Sequence, residues 1–326
     1  MPAITTRGAF SARGFGFGAS VGGGDGTKGI FALGYVSGIG PSTTRNKYTY
    51  ASCTSASAAC ASAGSYAGSA AGNSTRGIFA LGVANCLAST TRNKYTYACC
   101  SSTSIGVGIS SSTSINGSAA GNSTRGIFAL GLAGSGASIT RNKYTYACCS
   151  STACGVGTAS SASQRGSAAG NSTRGIFALG SNASYSPTNT RNKYTYACCS
   201  STTFGVGSAS LYSFSGSAAG NSTRGIFALG YTCSGPSSTR NKYTYSTCTN
   251  TSSGVACASG ASCSGSAAGN STRGIFALGY VCGVGRSATR NKYIYACDTN
   301  LISGVAAASC ASQYSSAASW ATGVNV

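Results

Sequence analysis

The sequence predicts an all-β propeller of six four-stranded repeats. Three observations lead there: a strict repeat of 48 to 50 residues, four short strand-like segments per unit, and no helical periodicity anywhere in the 326 residues. The hexapeptide GIFALG begins at Gly29, Gly77, Gly126, Gly175, Gly225 and Gly274, and RNKY at Arg45, Arg92, Arg141, Arg191, Arg240 and Arg290.

One full unit runs from Gly117 to Gly166. Its first strand is expected at Ser118 to Gly121 and its second at Gly126 to Gly131. The third is expected at Lys143 to Cys148, where Tyr144 and Tyr146 share one face at period two. The fourth is expected to begin near Gly155-Val156-Gly157. The turns between these segments, residues 122–125, 132–142 and 149–154, are at most 11 residues long, too few for crossover helices between parallel strands. Four strands in a period near 50 make one propeller blade. Ala, Ser and Gly let neighbouring sheets approach, which leaves Ile127, Phe128, Leu130, Tyr144 and Tyr146 to supply the apolar packing between blades.

The ends suggest closure of the ring. Thr6-Arg7-Gly8-Ala9-Phe10 echoes TRGIF, and Ser316-Ala317-Ala318-Ser319 echoes the first strand. Together they predict a composite seventh blade, with six blades plus an N-terminal arm as the alternative and a stacked β-solenoid third. The corresponding division is an N-terminal segment, 1–27, and a propeller, 28–326, whose C-terminal strand closes the ring. The longest apolar runs are about six residues, too short for a spanning helix. The first 20 residues carry Arg7 and Arg13 without an apolar run, so no signal peptide is expected.

The charge inventory removes most catalytic chemistry. There are 22 Lys and Arg, two acids (Asp25 and Asp298) and no His, for a net charge of +20. Paired-carboxylate, Ser-His-Asp, His-metal and carboxylate-calcium sites all lack their parts, so neither an enzyme nor a cofactor is expected. Eighteen of the 22 cations are carried by the repeat, one at each TRG position (Lys28, Arg76, Arg125, Arg174, Arg224, Arg273) and two in each RNK. They serve either blade packing, through multiple Arg hydrogen bonds, or a polyanion surface. Nothing resembling a nucleic-acid-binding motif accompanies them.

Cysteine is abundant, 17 residues. Cys53, Cys100, Cys149, Cys199 and Cys248 lie three residues after the second Tyr of YTY, with Asp298 in the sixth copy. Exchange with Asp there, and with Ser or Thr one residue earlier, marks a turn position rather than an obligate bridge. Free thiols are expected, with Cys257–Cys263 left open as a pair, and no zinc spacing is present. The recurring Asn-Ser-Thr is expected to be a polar turn, and GFGFG at Gly14 to Gly18 lacks the helix and Lys of a phosphate loop.

Alternating connections put the GNSTRG and CCSST turns on one face of the disc. The connections that differ between repeats fall on the other. There, Tyr35, Tyr185, Tyr231, Tyr280 and Arg286 lie in one set of connections and Arg165, Tyr212 and Phe214 in the second. Aromatic faces for sugar stacking and Arg donors for hydroxyls or anions make these eight the candidate ligand-binding residues.

GIFALG followed by NKYTYA resembles the kelch-type blade. More narrowly, the TRGIF…NKYTYA units resemble kelch-like repeats in virion proteins of tailed bacteriophages, including tail-fibre-like proteins. The opening ITTRGAFSARGFGFG is similar to the N-terminus of such proteins. The resemblance implies a non-enzymatic virion component, made in the bacterial cytoplasm where thiols stay reduced. Its implied partners are other virion proteins and host-surface polysaccharide or another polyanion, with many copies in an assembly and no membrane insertion. A capsid decoration or collar piece, and a cellular carbohydrate-binding propeller, are the alternatives.

Overall fold

Alternation along the second strand sets the architecture. Ile127 and Phe128 are neighbours in Arg125–Ala129, so they point to opposite faces of the sheet. Both are buried, at 0% and 1% exposure. Each sheet therefore has two apolar faces and must be covered on both sides. A ring of sheets achieves this with the same sequence repeated.

The computed structural model describes residues 25–134 and 136–321. It holds six antiparallel four-stranded sheets, each ordered inner, second, third, outer. The third repeat shows the pattern: Ser118–Gly121, Arg125–Ala129, Arg141–Thr145 and Ser150–Thr152. The second, fourth, fifth and sixth sheets copy it, with inner strands Ser69–Gly72, Ser167–Gly170, Ser217–Gly220 and Ser266–Gly269. In the first sheet the inner strand is Ser316–Ala321, paired with Asp25–Ala32 in the register Phe31 to Ala317. The C-terminal strand thus completes the first repeat's own sheet rather than a seventh blade. The N-terminal half of the expected composite blade, with the segment that resembles phage N-termini, lies outside the described residues.

Three sets of contacts run once around the six sheets and return to their start. The apolar clusters lie between sheets: Ala120 and Ile127 of the third pack on Ala168, Phe177, Tyr194 and Tyr196 of the fourth, and the equivalents repeat to the sixth-to-first gap. The inner strands touch in cyclic order, Ser316–Ala321 meeting both Ser69–Gly72 and Ser266–Gly269. At the axis the amides of Asn116, Arg165, Ser215, Ser264, Tyr314 and Ala67 each donate to the carbonyl of the preceding member, and the cycle closes at Ala67 on Tyr314.

Close approach explains the small residues. A Cβ on Gly126 would lie 2.9 Å from the Tyr146 hydroxyl and 3.1 Å from Cβ of Ala71 in the neighbouring sheet. The fourth strand differs from expectation. It is Ser150–Thr152, directly after the Cys turn. The GVG segment instead spends its backbone elsewhere: Gly157 N–H donates to the Cys199 carbonyl of the next blade at 2.7 Å, and its own carbonyl accepts from Arg141 of the same repeat. A ladder partner is thereby excluded.

The first residue of each RNK fastens adjacent sheets. Arg141, 1% exposed, donates to Asn192 Oδ1 at 3.0 Å and Ser201 Oγ at 2.6 Å of the next repeat, and its guanidinium lies 4.5 Å from the Phe177 ring centre. The other five Arg–Asn and Arg–Phe contacts repeat this, ending with Arg290 on Asn46 and over Phe31. For these six the packing role is realised. Replacing Arg141 with Leu leaves several buried acceptors unmet, a loss of about 3 kcal/mol at 1–3 kcal/mol per group. Arg141→Lys keeps the charge but not the fork, and should recover only part of it. Chemical denaturation of the two variants measures both.

Removing residues 316–326 strips the inner strand from the first sheet and exposes the edge of Asp25–Ala32. A lower melting temperature with aggregation is expected, and light scattering during a thermal ramp reads both.

Candidate functional site

Of the connections that vary between repeats, those between second and third strands form small hairpins, and the second set joins them through its last two residues. Tyr231–Thr232 pairs with Gly235–Pro236 and with Ser213–Phe214, and Tyr35–Val36 with Gly40–Pro41 and Ser312–Gln313. Bridges from Ser42 to Ser65 through Ser287 to Ser312 tie each hairpin to the next repeat. The eight candidate side chains thus stand on a paired, braced surface.

Seven of the eight fall into two groups. Arg165 lies with its guanidinium carbon 5.8 Å from the Tyr185 ring centre and 5.6 Å from that of Phe214. Phe214 stacks on Tyr231 at 5.2 Å, the two being register partners. In the other group Arg286 sits 4.6 Å over Tyr35 and pairs across the hairpin with Tyr280. Tyr35 meets Tyr66 edge-on at 5.6 Å, and Tyr66 meets Tyr314. Tyr212 projects to solvent beside Phe214. Tyr185 and Tyr212 are more than half exposed, and Tyr231 and Tyr280 about 40%, whereas Phe214, Tyr35 and both Arg are half-buried.

The axial backbone ring links the groups. Arg165 and Tyr314 are both members, three steps apart in a ring of six, so the groups face each other across the axis. A cavity of about 70 Å³ opens between them, lined in part by Asn116, Arg165, Ser264 and Tyr314. Tyr66 and Tyr314 were missed in the sequence although they stand in the second set of varying connections, Tyr66 at the position of Phe214 and Tyr314 at that of Arg165. Their signal was present: Tyr314 is a large ring where other copies carry Asn116, Ser215 or Ser264, and Tyr66 one where others carry Gln164 or Cys263.

The opposite face repeats one arrangement of charge. Each TRG arginine reaches the next repeat, as Arg125 does to the Tyr196 carbonyl at 3.0 Å and the Cys199 sulfur at 3.6 Å. In the sixth copy Asp298 occupies the sulfur's place. It accepts from Lys242 at 2.5 Å, from the Tyr293 hydroxyl at 2.9 Å and from Arg224 at 3.5 Å. All 17 thiols are free in the structure, Cys257 and Cys263 included.

Burial alone pushes the Asp298 carboxyl up, but the Lys242 and Tyr293 hydrogen bonds and the neighbouring charges outweigh it and hold it below 3.8. A carboxylate depressed in the folded state contributes stability above its unfolded pKa and loses it as pH falls through the folded one. Asp298→Asn is therefore expected to be less stable than the parent at pH 7. The gap should shrink on acidification below pH 3.8, read by urea unfolding at both pH values.

Neither a scan against protein-family models nor a search of curated proteins finds a match to this chain.

Proposed function

We propose that the chain is a non-enzymatic virion protein of a tailed bacteriophage, part of a tail fibre or related appendage, which contacts host-surface glycan through its hairpin face. The observation that carries this reading is the pair of Arg–aromatic groups across the axial mouth, on the face where the repeats differ. Exposed rings such as Tyr185 and Tyr231 offer stacking area, and Arg165 and Arg286 offer donors already held by ring faces. The phage setting rests on the resemblance of the TRGIF…NKYTYA units.

A second reading is a purely structural virion piece, and the opposite face favours it. That face carries the TRG cations and the RNK lysines around the whole ring, far in excess of carboxylates such as Asp298. An acidic virion protein is the complementary partner.

Purified protein incubated with isolated bacterial envelope and with a panel of surface polysaccharides separates the readings. Replacing Tyr185, Tyr231 and Arg286 with Ala should weaken binding at least about tenfold, some 1.4 kcal/mol, at unchanged melting temperature. Binding that survives those changes but is lost with Arg125→Ala and Arg174→Ala would move the contact to the cationic face.

A further inference from the structure

The turn after the third strand is one of two places, with the axial ring, where every repeat adopts a costly backbone without Gly. Cys53, Cys100, Cys149, Cys199, Cys248 and Asp298 all have φ between 50° and 57°, the left-handed region that Gly or Asn occupies more cheaply. What sets this turn apart is the place its side chain takes. In all six copies it enters a gap beside cations of the preceding repeat. Arg76 lies 3.5 Å from the Cys149 sulfur, Arg174 3.6 Å from that of Cys248, and Lys47 3.9 Å from that of Cys100; Cys53 meets both Lys292, at 3.7 Å, and Arg273, at 4.0 Å. The sixth gap shows what it accepts when filled by an anion: the Asp298 carboxylate, held by Arg224, Lys242 and Tyr293.

We propose that the five cysteines are modification sites, oxidised by hydroperoxides to sulfinates that reproduce in each gap the carboxylate contacts of Asp298. The thiolate sulfur attacks one peroxide oxygen: the S–O bond forms, the O–O bond breaks, and the departing hydroxide takes a proton to leave as water. Sulfur loses two electrons and the peroxide gains them. The sulfenate repeats the step with a second peroxide and ends as a sulfinate, with two oxygens and one negative charge in the position of the two Asp298 oxygens. The cations beside each sulfur are placed to bind the anionic product. Burial raises the Cys53 thiol, but the Tyr48 hydroxyl, Lys292 and Arg273 more than offset it, so its net shift is downward. The five sulfurs are half-buried and reachable, whereas Cys148, Cys154, Cys198 and Cys257 are exposed but lie outside the gaps.

The test is dilute hydrogen peroxide on the folded, full-length protein, followed by peptide mass spectrometry. A gain of two oxygens at the five gap cysteines, at least fivefold faster than at Cys154 or Cys257, is expected. Arg125→Lys and Arg125→Ala should slow oxidation at Cys199 progressively and leave Cys53 unchanged. Asp298→Cys should add a sixth fast site, which needs no loss of a structural arginine. A rise in melting temperature on oxidation supports the carboxylate-like contacts. Oxidation ranked by exposure alone, with Cys154 and Cys257 first, or slow oxidation of the new thiol in the Asp298→Cys variant, overturns the proposal.

Discussion

The structure depends on a buried guanidinium in each gap between sheets. The six arginines that begin RNK are at most 2% exposed and, among the described residues, pair with no carboxylate. Burial lowers their pKa to about 10, so they remain charged at neutral pH. An uncompensated charge in an apolar gap costs several kcal/mol unless fixed dipoles replace its water. Here the Asn amide oxygen, the outer-strand Ser or Asn, backbone carbonyls and a Phe face do so. All but the carbonyls come from the next sheet, so the arginine is solvated only when its neighbour is present. The Asn that receives it holds the incoming connection as well, as Asn192 does by accepting from Ser160 N–H and donating to its hydroxyl. Each repeat is completed by the next.

That dependence explains the uneven sequence. Gly126, Ala71, Phe128 and the two Tyr of YTY fill one gap with little spare room, so a change in any of them is felt by two sheets. The hairpins take no part in the lock. They are joined to it by backbone pairs, which tolerate nearly any side chain. A scaffold whose cohesion lies between sheets can change one face freely without repacking its core, the arrangement that a surface-recognition protein needs.

The blade itself was legible because its signals are local: strand alternation in GIFALG and YTY, turn residues between, and a fixed period. The misplacement of the fourth strand at Gly155-Val156-Gly157 has a physical origin. A β-branched residue between glycines looks like an edge strand, but the N–H of Gly157 goes to the Cys199 carbonyl of the next repeat, a contact no single-repeat pattern contains, and its carbonyl to Arg141. Strand closure by Ser316–Ala321 was visible as an echo of SAAG, whereas its partner was decided by which sheet lacked an inner strand. The eight candidate residues were legible as large side chains among Gly, Ser and Thr. Their grouping was not, because Arg165 meets Phe214, and Phe214 meets Tyr231, only through the pairing of adjacent repeats.

For the proposed glycan contact, the axial ring matters through its side chains. Its six members share a backbone conformation, φ between 54° and 57°, and one hydrogen-bond pattern, yet they are Ala, Asn, Arg, Ser, Ser and Tyr. A left-handed conformation costs a non-Gly residue roughly 1–2 kcal/mol, and Gly at these six places would relieve it. The backbone ring therefore accounts for the conformation but not for the side chains. A symmetric pore would repeat one residue. This mouth instead puts a guanidinium on one side and a phenol on the opposite side, each continuous with an aromatic group on the hairpins. The sixfold framework thus ends in a surface with no symmetry, suited to a ligand that lies across the axis and presents different chemistry to its two sides.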